Sequence, residues 1–137
     1  MPSEARKRLA VFKTRPFSRF ARKANLADEQ LWEAAERADA GLIDADLGGG
    51  VIKQRIARRG EGKSGGSRSI VLFRARKRAV FVYGFEKKDQ ANIRTDELQA
   101  FRELAKVVLE YTDSEIGQRV SDGALIEVEA PKENGHA

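Results

Sequence analysis

At 137 residues the chain is long enough for one domain with a buried core, and its 7% aromatic content makes that core mainly aliphatic. It has no cysteine and no apolar run near the roughly 20 residues that cross a membrane, which excludes disulfides, thiolate metal sites and a spanning helix. The net charge of +5 conceals a segregation: residues 51–94 carry 13 basic and 3 acidic residues, while 27–50 carry 1 and 7.

The first element is a strand, "RLAVFKT" at 8–14. Thr14-Arg15-Pro16 then opens a helix, because Thr14 can cap it and Pro16 suits its first turn. Phe17, Phe20, Ala21 and Ala24 share one helical face, and Asn25-Leu26 break the pattern. A second helix runs over about 28–40, with Asp28 and Glu29 at its positive end, an apolar stripe through Leu31, Ala34, Ala35, Ala38 and Leu42, and Gly41 as its stop. Gly48-Gly49-Gly50 is a break.

Three strands follow: "VIKQRIAR" (51–58), "SRSIVLFRAR" (67–76) and "RAVFVYGFE" (78–86). The last two leave room only for a tight hairpin at Arg76-Lys77-Arg78. "DELQAFRELAKVVLEY" (96–111) is a third helix by its 3.6-residue period. A short polar helix near 114–120 and a short strand in "ALIEVE" complete the chain. The order β-α-α-β-β-β-α plus a tail predicts an α+β domain over 1–130, an antiparallel sheet with helices on one side, and a disordered tail at 131–137.

"ARRGEGKS" at 57–64 meets a loose phosphate-loop pattern. A true phosphate loop opens directly into a helix whose amides hold the phosphates. Here Gly65-Gly66-Ser67 prolongs the loop and a β-branched strand follows, so the segment reads as a basic connection between strands.

Strand alternation places Lys53 and Arg55 on one face, with Ile52 and Ile56 on the other. Arg58, Arg59, Lys63 and Arg68 surround the loop, and Lys87 and Lys88 follow the central strand. A converging set of this kind suits a polyanion, with nucleic acid first. Solvated lysines at a sheet edge are the bland alternative. The hairpin cations Arg74, Arg76, Lys77 and Arg78 are expected only to solubilise a tip.

The single histidine, His136, lies in the tail, which excludes a paired-histidine nuclease. Glu61, Glu86 and Asp89 are too sparse for a carboxylate-held metal, so no metal or cofactor is expected. What remains is charge stabilisation of a phosphorane-like transition state on RNA, whose own 2′-hydroxyl is the nucleophile. Tyr83 is a candidate general base, although a tyrosine within "VFVYGF" is more often core.

The phrases "DLGGGVIKQRIAR", "GKSGGSR" and "FVYGFEKKDQANI" resemble the RelE/HigB-like toxins of bacterial type II toxin–antitoxin modules, over about residues 8–110. The resemblance implies a RelE-like fold with two N-terminal helices on one face of the sheet. It implies a cytoplasmic, ribosome-dependent endoribonuclease that cuts mRNA and inhibits translation. A cognate antitoxin, commonly a helix-turn-helix protein, would neutralise it, and operator DNA would be met only through that complex. Lys53 and Arg55 resemble the paired basic residues of the family's second strand, and Arg68 the arginine opening the next. Lys87 and Lys88 resemble basic residues after the last core strand. The expected catalytic set is Lys53, Arg55, Arg68 and Lys87, with Arg58, Arg59, Lys63 and Lys88 binding RNA. A second expectation is a non-enzymatic binder on the same fold. It would be either a gyrase inhibitor like the ParE relatives or a nontoxic protein that binds RNA or its antitoxin.

Overall fold

The computed structural model describes residues 9–57 and 66–131. The described elements are β1 (Ala10–Thr14), α1 (Arg15–Lys23), α2 (Asp28–Asp39), β2 (Ala45–Gly48), β3 (Val51–Ile56), β4 (Ser67–Arg74), β5 (Arg78–Glu86), α3 (Thr95–Val108), α4 (Asp113–Ser121) and β6 (Leu125–Glu127). None of these helices is long and apolar enough to cross a membrane.

Local chemistry sets the helix ends. Thr14 Oγ1 accepts the Phe17 amide at 3.3 Å, and Pro16 occupies the first turn, where no amide hydrogen is needed. At the other end Asn25 takes a left-handed φ of 62°. Its amide and that of Leu26 then close onto the carbonyls of Arg22 and Ala21. Gly41 ends α2 in the same way, with φ 93° and the Leu42 amide on the Arg37 carbonyl. Thr112 and Glu115 form a reciprocal capping box on α4, at 3.1 and 2.8 Å.

The strands form one sheet in the order β2-β3-β4-β5-β1-β6. It departs from the expected architecture in three ways. First, the sheet is mixed: β1 runs parallel to β5, and the other pairs are antiparallel. The chain returns to β1 only after two helices and several strands, a connection long enough for parallel pairing. Second, "ADLG" forms the edge strand β2, which its Asp and Gly content does not suggest. Third, helices cover both faces. Phe17, Leu31 and Trp32 of α1 and α2 pack with Ile52, Ile56 and Phe81 on one face. Ala105, Val108 and Ile116 of α3 and α4 pack with Val51, Leu72 and Val80 on the other. Each such aliphatic or aromatic side chain contributes about 1.5–3 kcal/mol when fully buried.

The hairpin cations are not all solvated. The Arg78 side chain is buried and donates to the carbonyls of Val108 at 2.9 Å and Tyr111 at 3.1 Å. Arg74 pairs with Glu110 at 2.8 Å. Together they hold the carbonyl end of α3, where positive charge meets the negative end of the helix dipole. Burial pushes the Arg78 guanidinium below its usual range, and Asp113 opposes that shift.

Candidate functional site

The site is assembled on the face of the sheet that α3 covers only in part. Ala105 of α3 and Leu109, just past its end, close over Gly50, and Arg102 lies over Gly48 and Gly49, all at one end of β3. Lys53 and Arg55 lie further along β3, on the same face as Val51, while Gln54 turns to the opposite face. There Gln54 accepts the Asp44 amide at 2.8 Å and donates to the Ala34 carbonyl at 3.1 Å.

The β3–β4 register sets Arg55 directly opposite Arg68, and Lys53 opposite Ile70. Directly opposed residues share a face, so the three expected cations come together. All three are half-buried. Among the described residues none is paired with a carboxylate. The Nε of Arg55 and an Nη of Arg68 are buried without a hydrogen-bond partner. Two like charges facing each other with unmet donors are unfavourable for the sheet alone and suited to an anionic ligand.

The peptide of Arg55 is held from the β2 side by side chains. Its amide donates to Asp44 Oδ2 at 2.6 Å, and its carbonyl accepts from Arg37 at 2.5 Å. Asp44 precedes β2, so these contacts continue the ladder where the edge strand stops.

Tyr83 reaches this face through a bulge. Ile70 pairs with Tyr83 but Val71 pairs with Phe81, which leaves Val82 as an extra residue. Val82 and Tyr83 therefore both turn toward α3, while Gly84 faces α1. Strict alternation through "FVYGF" would place Tyr83 on the wrong face. The ring is half-buried, 6.1 Å from Phe101 and 6.0 Å from Phe85, and its hydroxyl donates to Gln90 Oε1 at 3.1 Å.

The expected residues divide into three groups. Lys53, Arg55, Arg68 and Tyr83 share the face. Lys87 and Lys88 lie in the exposed turn after β5, beyond the paired strands. Arg58, Arg59 and Lys63 lie outside the described residues. Two side chains that sequence reasoning missed complete the site: Asn92 Oδ1 accepts from Lys53 Nζ at 3.0 Å, and Gln90 braces Tyr83. Their segment, "DQANIR", has no periodicity to mark it. The signals in the sequence were that both lie within "FVYGFEKKDQANI", a phrase that carries the family resemblance, and that the chain leaving β5 must pass beside Tyr83.

A mixed sheet carrying unpaired cations and a bulge-aimed tyrosine on one face defines a small, basic α+β protein. The family model described as the RelE toxin of the RelE/RelB toxin–antitoxin system matches residues 9–128, and the chain belongs to that family. It is a RelE-type toxin of a toxin–antitoxin system; such toxins pair with antitoxins and are generally endoribonucleases. None of the curated proteins compared with the chain matches it.

Proposed function

We propose that this toxin cleaves mRNA on the ribosome, with Lys53, Arg55 and Arg68 holding the scissile phosphate, and that a cognate antitoxin neutralises it. The observation that carries the reading is the opposed pair Arg55 and Arg68, whose guanidinium groups pair with no carboxylate among the described residues. In the proposed step the RNA 2′-oxygen forms a bond to phosphorus, and the bond from phosphorus to the 5′-oxygen breaks. The products are a cyclic 2′,3′-phosphate and a free 5′-hydroxyl. The 2′-hydroxyl proton leaves to a base, for which Tyr83 is the candidate, and the departing 5′-oxygen takes up a proton. The guanidinium groups stabilise the charge that grows on the phosphoryl oxygens. Lys87 and Lys88 extend the basic surface along the RNA.

The partner antitoxin is proposed to be a helix-turn-helix protein that carries the complex to operator DNA. Mapping mRNA ends after induction tests the activity. Codon-linked cleavage is expected, and its loss in the combined Lys53→Ala, Arg55→Ala, Arg68→Ala variant ties it to this face. A folded triple variant that still arrests growth by cleavage overturns the assignment.

One observation favours a second reading, a binder without nuclease activity. The Tyr83 hydroxyl already donates to Gln90 Oε1, at 3.1 Å. Growth or replication arrest with intact mRNA selects that reading.

A further inference from the structure

Lys53 is held unlike the other lysines with a described side-chain partner. Lys13 pairs with Asp28 at 2.9 Å and Lys106 with Glu103 at 3.3 Å, so a carboxylate cancels each charge. The partner of Lys53 is the neutral amide of Asn92, at 3.0 Å. An ammonium has three donors and no acceptor. One amide oxygen therefore fixes the direction of the side chain, leaves two donors for a ligand and removes none of the charge.

The backbone that carries this amide is itself braced. Gln90 Nε2 donates to the main-chain carbonyl of Asn92 at 2.8 Å, and Gln90 Oε1 accepts from Tyr83. Hydrogen bonds on either side of the Asn92 backbone thus link Lys53 on β3, through Asn92 and Gln90, to Tyr83 on β5, spanning the strand that carries Arg68. Ile93, next in sequence, packs on the α3-side core and anchors the segment.

We infer that Asn92 is a positioning residue that aims the Lys53 ammonium at the RNA backbone, and that its neutrality is the property the site requires. Aspartate would occupy the same position and reach the same ammonium, but would satisfy it as an internal ion pair. The inference rests on the proposed RNA-binding face.

The test is the affinity of the full chain for a labelled single-stranded RNA oligonucleotide over a series of salt concentrations. The proteins compared are wild type, Lys53→Ala, Asn92→Asp and Asn92→Ala, with thermal melting to confirm folding. Each phosphate contact on a single strand contributes a slope of about 0.7 in log K against log salt. Lys53→Ala and Asn92→Asp are each expected to flatten the slope by about 0.7. Asn92→Ala keeps the wild-type slope, because the charge remains, and weakens binding roughly 2- to 10-fold through lost orientation. A wild-type slope in Asn92→Asp beside a flattened one in Lys53→Ala overturns the inference and leaves the RNA-binding face standing. So does an Asn92→Ala protein that binds as wild type, or one that flattens like Asn92→Asp. An unchanged slope in Lys53→Ala, or wild type that binds without salt dependence, overturns the RNA-binding face itself.

Discussion

Arg55 and Arg68 stand opposite each other across the β3–β4 ladder, with buried guanidinium nitrogens that meet no acceptor. An opposed pair of like charges costs a sheet roughly 0.2–1 kcal/mol. The pair therefore sets function against stability. Arg68→Thr is expected to raise the melting free energy by a few tenths of a kcal/mol, up to about 1. The same change should lower the rate of mRNA cleavage by about 10²–10³-fold, the usual loss when a transition-state charge donor is removed. Thermal melting and in vitro translation on the same protein check both signs. A variant that loses activity and stability together places Arg68 in the scaffold instead.

Gly84 is a packing requirement. A Cβ built there falls 2.2 Å from a ring carbon of Phe20. Gly84→Ala is expected to destabilise by roughly 1–3 kcal/mol, as overpacking does. Phe20→Leu should recover part of that loss in the double variant, giving a coupling energy that denaturant titration can measure.

Arg78 tests the clamp on α3. Arg78→Met keeps the apolar stem and removes the donors to Val108 and Tyr111. A loss of about 1.5–3 kcal/mol is expected, the range for hydrogen bonds from a charged group. Amide exchange should accelerate first in the last turn of α3 and in α4. Uniform acceleration across the sheet instead would show that Arg78 supports the global core.

Acid acts on the same clamp. The hydrogen bond and charge of Arg74 hold the Glu110 carboxyl below its ordinary value of 4.5. A group with a lowered folded pKa contributes stability above its unfolded value and loses it as pH falls through the folded one. The Glu110 contribution is thus complete at neutral pH and fades below about 4.5. Glu110→Gln should lower stability at neutral pH, and its difference from wild type should shrink in that acid window. A difference that is constant with pH refutes the pairing.

Much of this site was legible because strand alternation is a local property. Lys53 and Arg55 are two residues apart, so they share a face wherever β3 sits. That Arg68 joins them depends on register, which the intervening connection does not encode. The placement of Tyr83 was hidden for a sharper reason: one extra residue, Val82, reverses the alternation of everything after it. Arg78 reads as part of a charge run and is buried because the end of α3, 30 residues later, lies over it. The apolar stripe of α3 identified a helix but not which face of the sheet it would cover.

The position of β1 bears on how the chain reaches this structure. Its neighbours in the sheet are β5 and β6, at 78–86 and 125–127, so the first of the described strands is the last to gain both partners. Pairings across such long stretches of chain must bear the loop-closure entropy before they gain any contact energy, and they are slow. A ribosome making this protein therefore carries β1 without either partner until β5, more than sixty residues later, has emerged. The local β3–β4–β5 meander, which holds the cations, can form ahead of it. Folding is then expected to proceed from the middle of the sequence outward, with closure of the sheet around β1 as the late step.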